Sequence, residues 1–270
     1  MHDSVNRPAA RSYLFVPGDR PERFDKAHAS GADAVILDLE DAVAPDRKEL
    51  ARRSVGDVLS VHRPVVLRIN ALDTPWFEDD LALCRHPGVA AVILPKAERA
   101  DQIVSAGDDL DVIALIETAV GFANVRDIAA AVNVRRLAFG AIDFQLDMGM
   151  SATFDDLLYF RSEIVLASRL AAIAAPIDSP SVDIDAPEAV QVQAQQARRI
   201  GFGAKLCIHP RQVHTVNRSF SPSLEDIAWA ERVVEVAARS NGSAVALDGK
   251  MVDKPVVLRA QAILRERRPD

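Results

Sequence analysis

The sequence predicts an α/β fold in which a closed (β/α)8 barrel is followed by a helical extension. Apolar runs recur at even intervals, separated by amphipathic, alanine-rich stretches, which is the alternation of βα units. The runs are continuous rather than alternating in polarity, so both faces of the sheet are covered, as in parallel sheets clothed by helices. The chain has 270 residues, 49% of them hydrophobic, and a barrel of this kind typically needs about 250. A doubly wound open sheet shares the local pattern, and counting alone leaves both open.

Eight runs are read as strands: Ser12 to Pro17, Ala34 to Leu39, Val65 to Asn70, Ala90 to Pro95, Val112 to Thr118, Leu137 to Asp143, a weaker one from Ala175 to Ser179, and Ala204 to His209. Between them, Asp46 to Ser60 places Leu50, Val55, Val58 and Leu59 on one side, and Phe154 to Ala174 is a long amphipathic stretch with Asp155 and Asp156 near its start. After His209 the pattern changes to a helical stretch from Leu224 to Ser240, then Asn241-Gly242-Ser243, a loop from Asp248 to Pro255, and a final helical stretch. The division expected is a barrel over 1–218 and an appended helical element with a loop over 219–270.

The formal charge of −7 comes without a basic block, so nucleic acid is not an expected partner. Met1 to Pro8 has no apolar signal core, and no run reaches the roughly 18 apolar residues of a membrane span. A cytoplasmic protein without a membrane partner is the expectation. Cys84 and Cys207 have no C-x-x-C spacing and are read as reduced core thiols.

Three runs end on residues that such runs normally exclude: Arg68, Glu117 and Asp143. Carboxyl ends of parallel strands open onto the ligand crevice, so two carboxylates there suit a hard cation such as Mg2+, which keeps sites free for substrate oxygens. Each carboxylate alone could equally cap a helix or form an ion pair. Arg68 offers a planar fork of donors to a substrate carboxylate or developing oxyanion, and can also pair with the Asp38-Leu39-Glu40-Asp41 cluster. Asp38 and Glu40 share one side of the strand with Asp41 pointing elsewhere, and Glu40 is assigned to orienting Arg68 or metal-bound water. Pro17-Gly18-Asp19-Arg20 followed by Lys26 is a turn that could hold a phosphate but is neither a Walker loop nor a dinucleotide fingerprint. Lys96 is read as a charge partner rather than a Schiff-base lysine, and His209 as a hydrogen-bonded structural residue before a base or ligand.

Taken in order, Leu37-Asp38-Leu39-Glu40-Asp41, Leu67-Arg68-Ile69-Asn70, Leu94-Pro95-Lys96, Ile116-Glu117-Thr118, Phe139-Gly140-Ala141-Ile142-Asp143-Phe144 and Ile208-His209-Pro210 resemble one family. It is the citrate lyase β-subunit-like branch of the HpcH/HpaI aldolase superfamily, which includes malyl-CoA and citramalyl-CoA lyases, and the resemblance runs from Tyr13 to about Leu264. It implies a TIM barrel that binds Mg2+ through Glu117 and Asp143, contacts substrate through Arg68 and Glu117, and cleaves a β-hydroxyacyl-CoA thioester to acetyl-CoA and a 2-oxo acid. It further implies a lid aspartate, here Asp253 in Met251-Val252-Asp253-Lys254-Pro255, acting as acid/base in trans within a homo-oligomer, a trimer by resemblance. A solvated loop aspartate is the alternative for Asp253. Arg20, Lys26 and Lys205 are the expected CoA contacts, although Gly203-Ala204-Lys205 places the glycine one residue earlier than the family commonly does. The competing functions are the β subunit of a citrate lyase complex acting on citryl-acyl carrier protein, and a non-catalytic barrel that only binds.

Overall fold

The computed structural model describes residues 9–105, 107, 109–239 and 244–267. Met1 to Pro8, Ser240 and Asn241-Gly242-Ser243, which figured in the sequence reading, lie outside the described residues. Two compact units are present, one formed by Ala9–Asn217 and the other by the chain from Arg218 onward.

The first unit is a closed barrel of eight parallel strands in sequential order: β1 (Ser12–Pro17), β2 (Ala34–Asp38), β3 (Val65–Arg68), β4 (Val89–Leu94), β5 (Val112–Ile116), β6 (Val134–Phe139), β7 (Ala174–Asp178) and β8 (Ala204–Cys207). Closure is made by β8 on β1, with Tyr13 opposite Leu206 and Leu14 opposite Cys207. The open-sheet alternative is thereby excluded. Inside, Tyr13, Ile36, Val66, Ile93, Ile113, Leu115, Ala138, Ile177, Ala204 and Leu206 form one buried cluster, the packed interior characteristic of such barrels.

Several predicted strands overrun the observed ones. The apolar run through β6 continues to Asp143, but the strand stops at Phe139 and Ala141–Asp147 is a helix. β5 and β8 likewise end before Glu117 and His209. The cause is that apolar character marks burial, whereas a strand ends where its ladder partner ends. The predicted Asp46–Ser60 and Phe154–Ala174 helices shrink to Lys48–Gly56, preceded by a 3-10 turn at Pro45–Arg47, and to Leu158–Leu170.

The barrel floor contains a feature that apolar patterning does not reveal. Arg136 of β6 is buried, with Nη1 donating to the Ala10 carbonyl at 2.8 Å and to the Tyr13 hydroxyl at 3.1 Å, while Nε donates to the Ala175 carbonyl. A Cβ on Gly203 would lie 2.9 Å from Arg136 Nη2, so the glycine makes room for the guanidinium. This accounts physically for a glycine at position 203 in this chain.

In the second unit, a Leu224–Arg239 helix packs with a Lys254–Glu266 helix around Ala230, Val233, Val252 and Ala260. The segment expected as a loop is instead a hairpin, Val245–Leu247 paired with Lys250–Val252. Its turn is Asp248-Gly249, with φ of 51° and 74°, the conformation that an Asp-Gly pair supplies most readily. No described helix is long and apolar enough to cross a membrane.

Candidate active site

The turn after β2 carries the densest wiring in the barrel. Asp38, the last residue of β2, grips the Arg68 guanidinium at two points, Nε to Oδ1 at 2.7 Å and Nη2 to Oδ2 at 2.6 Å. Glu40 Oε2 lies 2.9 Å from Nη1, and Asp41 Oδ2 lies 3.8 Å from the same nitrogen. Asp41 therefore does not point elsewhere: the chain has left the strand by this point, so the two-residue alternation no longer applies. The Phe15 ring lies 4.6 Å from the guanidinium carbon and stacks against its face. Burial opposes charge on Arg68, but Asp38, Glu40 and Asp41 outweigh it and hold the group protonated more firmly than usual. Three of its five N–H groups are engaged by Asp38 and Glu40, leaving donors for a ligand in the cavity it lines.

The backbone of this turn is fixed from behind by residues not singled out in the sequence. Lys48 is buried and its ammonium donates to the carbonyls of Leu39 and Glu40, each at 2.8 Å, while Asn70 Nδ2 donates to the Leu39 carbonyl at 2.9 Å. Asp80 holds Asn70 in turn, accepting from its Nδ2 at 2.6 Å. The available signal was a lysine on the apolar side of an amphipathic helix, a placement that demands a polar partner.

Glu117 follows β5 and is only 3% exposed. Its Oε1 accepts the backbone N–H of Lys96 at 2.9 Å, and Lys96 adopts a left-handed φ of 47° there, a cost that a non-glycine residue bears chiefly at functional sites. The Lys96 ammonium reaches Glu40 Oε1 at 3.8 Å, so its role here is that of a charge partner. Gly140 forms a cradle for Glu117: a Cβ at position 140 would sit 2.7 Å from Oε2. Burial raises the Glu117 carboxyl to about 8 against the pull of the Lys96 N–H, and the charges of Glu40 and Asp143 add to the rise. Burial likewise raises Glu40 to about 7, with Arg68 opposing.

Asp143 sits in the first turn of the Ala141–Asp147 helix, where the helix dipole favours a carboxylate. It lines the cavity and makes no hydrogen bond or ion pair with a described residue, so the capping alternative does not hold for it. Glu117 and Asp143 thus bring two hard oxygen donors to neighbouring strand ends, with mutual repulsion that a divalent cation would relieve. No third His, Cys, Asp or Glu joins them in a metal-binding group among the described residues. Such a pair suits Mg2+, which retains several waters, better than zinc, which takes three or four protein ligands.

A cavity of about 660 Å³ opens over the barrel's carboxyl end, walled by Phe15, Asp38, Asp41, Arg68, Asp143 and His209 among others, with Arg23 and Lys26 also on its wall. Lys26 is where a phosphate contact was expected. Arg20 is not on this wall: its guanidinium is turned to Glu22, with Nε to Oε1 at 2.7 Å. Arg23 takes the position instead, and its three-residue spacing from Lys26 was the signal that could have found it. Lys205 requires a correction. It is buried inside the barrel, donating to Asp178 Oδ2 at 2.8 Å and to the Ser179 carbonyl at 2.6 Å, so its charge serves an internal pair and is not offered to a CoA phosphate. Arg161 completes that group with Nε to Asp178 Oδ1 at 2.9 Å. His209 Nδ1 accepts the Arg211 N–H at 3.2 Å, consistent with its structural reading. Asp253 lies in the second unit, where it caps the Lys254–Glu266 helix by accepting the Val256 N–H at 3.3 Å.

An eight-stranded barrel with paired carboxylates and a carboxylate-gripped arginine at its carboxyl end has the make-up of a barrel enzyme suited to metal-assisted chemistry on an oxygen-rich, anionic ligand. A model of the HpcH/HpaI aldolase/citrate lyase family matches residues 11–210. A citrate lyase subunit beta-like protein from Mycobacterium tuberculosis is 40% identical over 266 residues, covering 96% of each chain. An L-malyl-CoA/beta-methylmalyl-CoA lyase from Cereibacter sphaeroides is 32% identical over 299 residues, covering 95% of this chain and 94% of the relative. Among solved structures, the Mycobacterium tuberculosis protein CitE in complex with magnesium, acetoacetate and coenzyme A superimposes with a TM-score of 0.86 at 40% identity, covering 96% of this chain and 99% of that one. The chain belongs to the HpcH/HpaI aldolase/citrate lyase family. It is an enzyme of the lyase class, and magnesium accompanies the barrel in its solved relatives.

Proposed function

We propose that this chain is a Mg2+-dependent carbon-carbon lyase that cleaves a β-hydroxyacyl-CoA thioester of malyl-CoA or citramalyl-CoA type into acetyl-CoA and a 2-oxo acid. The observation that carries the reading is one cavity lined both by Arg68 with Asp143 and by the cations Arg23 and Lys26. Such a space accepts a hydroxy acid at the first and a phosphate-bearing arm at the second.

Glu117 and Asp143 would hold the metal, which when bound polarises the hydroxyl and carboxylate oxygens of the substrate. Arg68, fixed by Asp38 and Glu40, donates to the hydroxyl oxygen as it loses its proton and becomes the carbonyl of the 2-oxo acid. The bond between the carbinol carbon and the thioester α-carbon breaks, and its electron pair passes to the thioester as an enolate. Asp253 from a neighbouring copy of the chain is assigned both proton transfers: its carboxylate takes the hydroxyl proton as the bond breaks, and the resulting acid returns that proton to the α-carbon of the enolate. The barrel's own acidic residues at the site are committed to Arg68 or to the metal.

The test is a coupled assay of purified protein with Mg2+ across malyl-, citramalyl-, citryl- and 3-hydroxy-3-methylglutaryl-CoA, with citryl-acyl carrier protein alongside and the 2-oxo acid identified. Cleavage of one CoA thioester, abolished by chelation and restored by Mg2+, is the expected result. Turnover of the carrier-protein substrate alone would instead support a citrate lyase subunit, and full activity in chelator would overturn the metal assignment.

A further inference from the structure

His209 has a second ring nitrogen that its structural role does not use. The residue is held at two points: its backbone N–H donates to Gln212 Oε1 at 3.3 Å, and its ring Nδ1 accepts the Arg211 N–H at 3.2 Å. Gln212 is itself anchored, donating from Nε2 to the Ser181 carbonyl at 2.9 Å. A ring nitrogen that accepts a backbone N–H carries no proton, so this bond assigns the neutral ring's proton to Nε2. Nε2 has no hydrogen-bond partner in the described protein, and it is not among the buried polar atoms that lack one. The residue lines the cavity, so a fixed N–H donor is open to whatever fills it.

Its place on the wall indicates which ligand atom it meets. β8, which leads to His209, lies beside β1, which leads to Arg23 and Lys26, while Asp143 and Arg68 come from the ends of β6 and β3. In the closed barrel β8 and β7 lie between β1 and β6, so a thioester with its phosphates toward Arg23 and Lys26 and its hydroxy acid toward Asp143 carries its carbonyl past the end of β8. We propose that His209 Nε2–H donates to the thioester carbonyl oxygen. The proposal rests on the CoA-thioester reading above. When the carbon-carbon bond breaks, its electron pair delocalises onto this oxygen, so a donor already in place stabilises the charge as it grows. A neutral imidazole does this without exchanging a proton of its own, which leaves protonation of the α-carbon to a separate acid.

The two ring nitrogens can be removed separately. In His209→Asn the amide oxygen stands in for Nδ1 and keeps the Arg211 bond while the distal donor is lost; in His209→Gln the amide nitrogen stands in for Nε2. Binding of acetyl-CoA is compared with binding of S-ethyl-CoA, a thioether without the carbonyl oxygen, by calorimetry of the full-length protein with Mg2+. The wild type is expected to prefer acetyl-CoA by about two- to tenfold, the range of one neutral hydrogen bond. His209→Asn should erase that preference and His209→Gln should retain it. On the thioester that the wild type cleaves, His209→Asn should lower kcat by about a hundredfold with KM little changed. Equal wild-type affinity for the two probes, or an undiminished preference in His209→Asn, overturns the proposal and leaves the lyase reading standing. A wild type that binds neither probe overturns the thioester reading and this proposal with it.

Discussion

Gly140 has no side chain, yet it decides where the Glu117 carboxylate can lie, because a Cβ there would come within 2.7 Å of both Glu117 Cβ and Oε2. Gly140→Ala is therefore expected to displace one of the two proposed metal ligands while leaving the barrel folded. Calorimetric titration should show Mg2+ affinity lower by at least about tenfold, on the scale of a disturbed ligand environment, with an unchanged far-ultraviolet dichroism spectrum. A second residue-scale expectation concerns Asp178. Burial works to raise its carboxyl, but Lys205 and Arg161 together outweigh this and hold it below the usual carboxylate range. A carboxylate depressed on folding adds stability above its unfolded value of about 4, and that stability is lost as pH falls through the folded value. Urea unfolding of the wild type should weaken on the acid side, and Asp178→Asn should flatten that slope. Lys205→Met, which strands the buried carboxylate with one partner, should cost about 3–5 kcal/mol. Glu117 and Arg68 were legible as residues because each interrupts an apolar run. Gly140 was not, since its importance is a distance to an atom on another strand.

At the scale of elements, the Lys254–Glu266 helix separates two roles of Asp253. As the helix N-cap it accepts the Val256 N–H, and Asn caps about as well as Asp whereas Ala forfeits about 1 kcal/mol. Thermal denaturation should accordingly find Asp253→Asn close to the wild type and Asp253→Ala less stable. If Asp253 also supplies the proton to the enolate, both variants lose turnover, and loss in the well-capped Asn variant cannot come from the helix. The hairpin before this helix carries its signal in Asp248-Gly249, but its three-residue strands are too short to show alternation, so the sequence there reads as a loop. Strand positions were recovered well and strand ends less so. β6 shows why: Gly140-Ala141-Ile142 is as apolar as the strand it follows, and only the ladder to β5, which ends with Ile116 opposite Phe139, and the start of the next helix mark the boundary.

At the scale of the whole molecule, the proposed proton donor, if supplied to a barrel by another copy of the chain, would make activity a property of the oligomer. Light scattering is expected to show a homo-oligomer, a trimer on the family resemblance. Co-assembly provides a stricter check. Asp253→Asn and Arg68→Met subunits, each inactive alone, should regain turnover when mixed, dissociated and reassembled, because some sites then receive an intact barrel from one copy and an intact aspartate from another. No recovery from verified mixed oligomers would place the acid elsewhere. The sequence by itself determined the eight-stranded α/β pattern, the polar residues interrupting its apolar runs, and the family motifs, since hydrophobic continuity and motif order are carried by residues close along the chain. The tertiary structure alone decided that, of the acidic cluster the sequence offers to Arg68, it is Asp38 that grips it at two points from 30 residues away, that the Lys96 backbone holds Glu117 across 21, and that Arg136 reaches the Ala10 carbonyl across 126. It also decided that Lys205 turns inward, that Arg23 replaces Arg20 on the cavity wall, and that His209 keeps one nitrogen free. These pairings exist only once the barrel has closed and brought successive strand ends into one ring; a local pattern specifies which residues are buried or capping, but not which distant group each of them meets.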